Sequence, residues 1–111
     1  MSEPLRVEYE RSGGFAGLTT RAQADAGNLA PEEADALRAM VEQAAFFSLP
    51  AHVAPPARGA DRFEHAVTVI DGERRHTVRV SEGAVPDTLR PLVDYLVARA
   101  RRGAGSAEGR S

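Results

Sequence analysis

The chain has 111 residues, of which 42% are hydrophobic and 27% are charged, and these values suit one globular domain built around one core. Its formal net charge of -2 argues against a nucleic-acid surface or an anchor on acidic lipids. The absence of cysteine excludes disulfide bonds, thiolate metal sites and a cysteine nucleophile.

The N-terminal residues lack the basic start and the apolar run that form a signal peptide. No apolar run approaches the length that a membrane-spanning helix needs. We therefore expect a cytoplasmic protein that binds neither membranes nor nucleic acid and is a monomer when free.

The first half of the chain predicts a β-hairpin followed by a helix. Apolar and polar residues alternate over residues 5–10 and, more weakly, over residues 18–24, as they do in half-buried strands. The glycine-rich residues between them predict a tight turn, because glycine adopts positive φ without steric cost. A helix is predicted to begin at Pro31, and residues 52–62 lack periodicity and predict a loop.

The second half predicts another hairpin and another helix. Asp71 and Gly72 separate two alternating runs, residues 63–70 and 73–81, which is a strong hairpin signal. The last helix is predicted to end at Gly103. One face of this second hairpin carries the side chains expected to point toward the core: Phe63, His65, Val67, Val69, His76, Val78 and Val80.

These elements follow the order ββαββα and predict an α+β fold, a four-stranded antiparallel sheet with two helices packed on one face. We expect a single domain over residues 1–103 and a disordered C-terminal tail over residues 104–111, which are small and polar. The core is expected to contain Leu37, Val41, Val67, Val78, Val80, Leu89, Leu92, Val93 and Leu96.

The glycine-rich segment is the first candidate site, and it consists of Ser12, Gly13, Gly14, Phe15, Ala16 and Gly17. Phe15 is its large apolar side chain, set between residues that are too small to cover it. On a glycine-rich tip such a side chain can project as an anchor for a partner's pocket. It can also fold back and seal the end of the core, and the sequence leaves both interpretations open.

The second candidate site follows the last strand directly and consists of Ser81, Glu82 and Gly83. Ser81 beside Glu82 could be a nucleophile, but a serine needs a base oriented by a third group, and no spacing supplies one. The segment can instead be a strand-to-helix loop with Gly83 in its turn. A third interpretation displays Glu82 at the same sheet edge as the first hairpin tip, so that Phe15 and Glu82 form one surface.

His65 and His76 share the core face of the second hairpin and could bind zinc, but a zinc site needs a third protein ligand. Glu64 and Glu73 point to the opposite face, so we expect two structural histidines, no metal site and no cofactor. Nucleotide-binding motifs, metalloprotease helix motifs and paired catalytic carboxylates are also missing from the sequence. We therefore expect a non-enzymatic protein. The alternative is a small hydrolase or metal-dependent enzyme that uses the two histidines and Glu82.

Five blocks of the sequence form a further pattern. They are residues 7–17, 46–50, 61–63 with the valine-rich hairpin after them, 80–83 and 89–93. In this order the blocks resemble the emfourin family, a family of small intracellular inhibitors of protealysin and other thermolysin-like zinc metallopeptidases. The order is more specific than any one block, and the resemblance covers residues 5–100.

The resemblance implies a cofactor-free protein inhibitor whose partner is a thermolysin-like metallopeptidase. Such peptidases prefer a bulky apolar residue just after the cleaved bond, so Phe15 could fill that pocket like a substrate side chain. We expect residues 12–17 to enter the active-site cleft and residues 81–83 to make a secondary contact. Glu82, or a backbone carbonyl of the loop, could approach the open position of the zinc. The alternative is a non-enzymatic interaction module with a different partner.

Overall fold

The structure is a computed structural model that describes residues 5–13, 20–53 and 63–109. It confirms an α+β fold with two α-helices, but the element order is ββαβββα because one further short strand is present. Single-turn 3₁₀ helices follow β2, α1 and β5. The main elements are β1 (Arg6–Gly13), β2 (Thr20–Asp25), α1 (Pro31–Gln43), β3 (His52–Val53), β4 (Phe63–Asp71), β5 (Arg74–Ser81) and α2 (Arg90–Gly109).

The strands form one five-stranded sheet in the order β2-β1-β4-β5-β3. Both predicted hairpins are present, and β1 pairs antiparallel with β4 between them. The prediction of four antiparallel strands is wrong in one respect, because β3 pairs parallel with β5 and makes the sheet mixed. A strand of two residues is too short to show alternation, so the sequence pattern predicts a loop for the residues of β3.

The turn between β4 and β5 is displaced from its predicted position. Asp71 pairs with Arg74, so Gly72 and Glu73 form the turn, whereas the sequence predicted Asp71 and Gly72. Gly72 has φ 64°, which fits the first central position of a type II′ hairpin turn. The displacement moves the cross-strand register by two residues, so the predicted division of side chains between the two faces is preserved.

Strand β1 is longer than predicted, because it continues past residue 10 to Gly13. Ser12 and Gly13, which the sequence placed in the turn, pair instead with Glu64 and Phe63 of β4. The rest of the first candidate segment, Gly14, Phe15, Ala16 and Gly17, lies outside the described residues.

One face of the sheet carries the core, and both helices pack on that face. All the predicted core residues are buried, and Leu5, Val7, Tyr9 and Phe46 join them. Phe46 occupies a 3₁₀ turn shortly after α1, and its side chain belongs to the core cluster. On the opposite face the hydroxyls of Thr68 and Thr77 lie 2.7 Å apart, so this face is polar, as is usual for an antiparallel sheet covered on one side.

The two helices are joined to each other and to the sheet edge by polar contacts. The Tyr95 hydroxyl donates a hydrogen bond to Glu33 Oε2 at 2.6 Å, and Arg99 Nε donates to the Gln23 carbonyl at 2.6 Å. Helix α2 continues to Gly109, beyond Gly103, where the sequence predicted its end. The disorder expected for residues 104–111 stays a prediction. No helix in the described ranges is long and apolar enough to cross a membrane.

Candidate functional site

The two candidate segments start from the same row of the sheet. On β4, Glu64 lies opposite Ser12 of β1 on one side and opposite Ser81 of β5 on the other. We call this end of the sheet the loop end, because β1 and β5 both leave the sheet there. The register therefore brings Ser12 and Gly13 together with Ser81 and the residues after it. Where Phe15 stands relative to Glu82 lies outside the described residues.

A buried histidine connects the second segment to the core. His65 is 1% exposed, its Nδ1 lies 2.7 Å from the Tyr9 hydroxyl, and its Nε2 is hydrogen-bonded to Glu82 Oε1. A carboxylate can only accept, so we assign the proton to Nε2, which donates to Glu82. In the neutral imidazole Nδ1 then accepts from the Tyr9 hydroxyl. The result is a directed hydrogen-bond chain from Tyr9 through His65 to Glu82.

The donor at the start of this chain keeps its proton over the whole neutral range. Burial raises the pKa of Tyr9 to about 12. The positive charge of Arg11 opposes this increase, and the negative charge of Glu82 adds to it. The rings of Tyr9 and His65 also stack, with centroids 5.7 Å apart. The imidazole is therefore fixed by packing as well as by its hydrogen bonds.

Glu82 is held from two sides. Its Oε1 accepts from His65, and its Oε2 lies 3.7 Å from Nη1 of Arg90, in the first turn of α2. The hydrogen bond from His65 holds the pKa of Glu82 below its ordinary value, with burial opposing and the charge of Arg90 lowering it further. The carboxylate is thus charged at neutral pH, and it ties the turn after β5 to both β4 and α2.

The two histidines are held apart. His76 lies opposite Val69, four positions beyond His65 on β4, which corresponds to a separation of about 13 Å. Its Nε2 donates to the Leu49 carbonyl at 2.6 Å, and its ring packs edge-on against Phe46. Both imidazoles therefore have structural partners, and the described part of the chain contains no group of three or more residues that could hold a metal ion.

Ser81 ends β5, and the 3₁₀ turn Glu82–Ala84 begins directly after it. The neighbouring histidine of the ladder, His65, pairs with Val80 and has both ring nitrogens engaged by Tyr9 and Glu82. It is therefore not aligned as a base toward Ser81. The geometry favours the interpretation of a strand-to-helix turn in which Glu82 is fixed at the loop end.

Tyr9 and Arg90 complete this site, and sequence reasoning identified neither of them. Alternation placed Tyr9 on an apolar face, but only the pairing of β1 with β4 brings it beside His65. Arg90 lies in the block of residues 89–93, but the sequence does not show that its partner is Glu82. One sequence signal could have identified this contact. Alternation gives both Tyr9 and His65 core-facing positions, and buried polar side chains need hydrogen-bond partners.

Comparison with curated proteins and with solved structures found no match. Comparison with protein-family models found one, the Emfourin family model, which matches residues 9–97. That range includes Tyr9, His65, Glu82 and Arg90 and runs from β1 into α2. Because the matched range is most of the chain, this protein belongs to the emfourin family.

Proposed function

We propose that this protein inhibits a thermolysin-like zinc metallopeptidase, with residues 12–17 in the active-site cleft and residues 81–83 beside them. Emfourins are metallopeptidase inhibitors, which supports the class of function. The observation that supports the site is the shared row of Ser12, Glu64 and Ser81, because both segments begin at the same end of the sheet.

The first residues of the inhibitory segment are held in the sheet before any partner binds. Strand β1 is paired on both sides, with β2 and with β4, and the pairing with β4 continues through Ser12 and Gly13. A segment that is already ordered loses less conformational entropy on binding, which favours affinity. Phe15 occupies the apolar pocket that follows the cleaved bond of a substrate, and the rigid base keeps the adjacent carbonyl out of the geometry needed for attack.

Glu82 acts at the rim of this site rather than on the peptidase's zinc. Binding zinc through Oε1 would displace His65, and leaving His65 without a partner for its buried N–H is costly. The other carboxylate oxygen faces Arg90. Glu82 therefore fixes the position of residues 81–83, while any approach to the zinc comes from the backbone of residues 12–17.

The test is an inhibition assay with a purified thermolysin-like peptidase and a chromogenic peptide substrate. We expect competitive inhibition, with the apparent affinity falling as the substrate concentration rises. A serine peptidase assayed in parallel serves as the control and should be unaffected. Mass spectrometry of the chain after incubation should show it intact, which separates an inhibitor from a competing substrate.

If the protein inhibits no peptidase of this class, the proposal fails. A non-enzymatic interaction module that presents the loop end to a different partner then becomes the better explanation.

A further inference from the structure

Phe63 lies at the base of the inhibitory segment, beside the end of β1. Phe63 is the first residue of β4 and lies opposite Gly13, the last residue of β1. Alternation along β4 puts it on the core face, yet it is 39% exposed, whereas His65, the next residue on that face, is 1% exposed. Among the described residues, Phe63 is the large hydrophobic side chain that the fold leaves exposed.

A guanidinium group lies over this ring. Cζ of Arg11 is 4.8 Å from the centroid of Phe63, which is within the range of a cation–π contact. Arg11 lies opposite His65 in the ladder, so it belongs to the same face and the same end of the sheet. The loop end therefore presents an apolar ring next to a positive charge.

We propose that Phe63 and Arg11 form a second contact site for the metallopeptidase, one that binds an apolar patch flanked by carboxylates on the rim of its cleft. This inference rests on the proposed function and adds the chemistry of the surface outside the pocket. When a segment enters a cleft, the residues at its base contact the rim of the cleft, and Phe63 lies at that base. Aromatic and arginine side chains contribute strongly to affinity where the contact excludes water around them.

The first experiment compares Phe63→Ala with Phe47→Ala in the inhibition assay. Phe47 is a matched control, because its ring also lies under a guanidinium, that of Arg74 at 4.2 Å, but at the opposite end of the sheet. We expect Phe63→Ala to weaken inhibition by about tenfold or more, with a melting temperature close to that of the parent. Phe47→Ala should lower the melting temperature and leave the inhibition constant unchanged.

The charge is tested by Arg11→Ala against Arg74→Ala, which removes the equivalent cation–π contact from the far end. A guanidinium that faces carboxylates of the partner makes association depend on ionic strength. Arg11→Ala should therefore weaken inhibition and flatten its dependence on salt concentration. Arg74→Ala should change neither.

A direct readout of contact uses the absence of cysteine from the chain. An environment-sensitive dye attached to Phe63→Cys should shift its emission to the blue when the peptidase is added. The same dye on Thr77→Cys, on the uncovered face of the sheet, should not respond. This measurement also shows whether Phe63 contacts the peptidase if Phe63→Ala proves too unstable to assay.

Two results distinguish this inference from the function on which it rests. If the parent inhibits but Phe63→Ala inhibits equally well, or the dye does not respond, the second contact site is wrong and the proposed function stands. If the parent does not inhibit at all, both are wrong.

Discussion

Buried His65 on β4 donates a hydrogen bond to the carboxylate of Glu82, which lies outside the sheet in the turn after β5. The contact crosses from the core to the surface that we propose for partner binding. It makes the position of that turn depend on a side chain that is buried from solvent. Glu82 is half-exposed, so its energetic weight is small, but its effect on position is specific.

Glu82 should make the stability of the protein depend on pH in the acid range. The folded-state pKa of Glu82 lies below its unfolded value, so its contribution is present above the ordinary pKa of about 4.3 and disappears as the pH falls through the folded value. Glu82→Gln should therefore lower the urea midpoint at pH 7, and the gap to the parent should narrow as the pH falls below the ordinary pKa of a glutamate. Glu73→Gln, which removes an exposed carboxylate in the β4–β5 turn, is the control and should show no such gap.

Phe15 tests the proposed anchor. Burying a phenylalanine in an apolar pocket contributes about 1.5–3 kcal/mol, so Phe15→Ala should weaken inhibition by about tenfold to a hundredfold. The melting temperature should stay close to that of the parent, and Phe15→Leu, which keeps most of the apolar volume, should restore much of the inhibition. Unchanged inhibition by Phe15→Ala would remove the anchor. A large fall in melting temperature would mean that Phe15 belongs to the core.

Leu92 tests the core between α2 and the sheet. It is 0% exposed, and truncating a buried leucine to alanine removes apolar contacts and leaves a cavity. Leu92→Ala should lower the free energy of unfolding by about 2–5 kcal/mol, measured by urea denaturation. Arg101→Ala, an exposed change on the same helix, should stay within about 0.5 kcal/mol of the parent. Equal midpoints for the two variants would contradict this packing.

Gly72 tests the turn between β4 and β5. Its φ is 64°, and a Cβ built there meets no atom within 4 Å, so the effect of a substitution comes from the backbone alone. Gly72→Ala should cost about 1–2 kcal/mol of unfolding free energy. Gly72→Asn should cost less, because asparagine adopts positive φ more readily. If both variants are as stable as the parent, the conformation of this turn has been misassigned.

The histidines should not make the fold depend on metal. His65 uses both ring nitrogens on Tyr9 and Glu82, and His76 donates to the Leu49 carbonyl. A chelator should therefore leave the melting curve of the purified protein unchanged. Zinc present at one equivalent, or a melting temperature that falls with chelator, would disprove this prediction.

The sequence predicted those parts of the fold that depend on periodicity. Alternation in β4 and β5 assigned the core face correctly even though the turn was misplaced, because a register change of two residues keeps every side chain on its face. Helix α1 and the buried stripe around Leu92 followed from spacing in the same way. Strand β3 was missed, since two residues carry no period.

The candidate site was less predictable, because it depends on contacts between residues far apart in the sequence. Tyr9 and His65 come into contact through the pairing of β1 with β4. No local sequence pattern in either strand predicts that pairing. The reach of Glu82 back to His65 depends on the 3₁₀ turn after β5. The exposure of Phe63 could not be predicted either, because its place in the alternation of β4 is the same as that of its buried neighbours.

The central position of β1 also has a consequence for how the protein is made. Arg6 pairs with Ile70, so the neighbour that completes β1 is synthesised long after β1 has left the ribosome. Until then β1 has only β2, and an isolated two-stranded hairpin is marginally stable in water. Pairings so distant in sequence also slow folding. A nascent chain should therefore not hold Ser12 and Gly13, the start of the segment that we propose for inhibition, in an ordered strand until β4 has emerged.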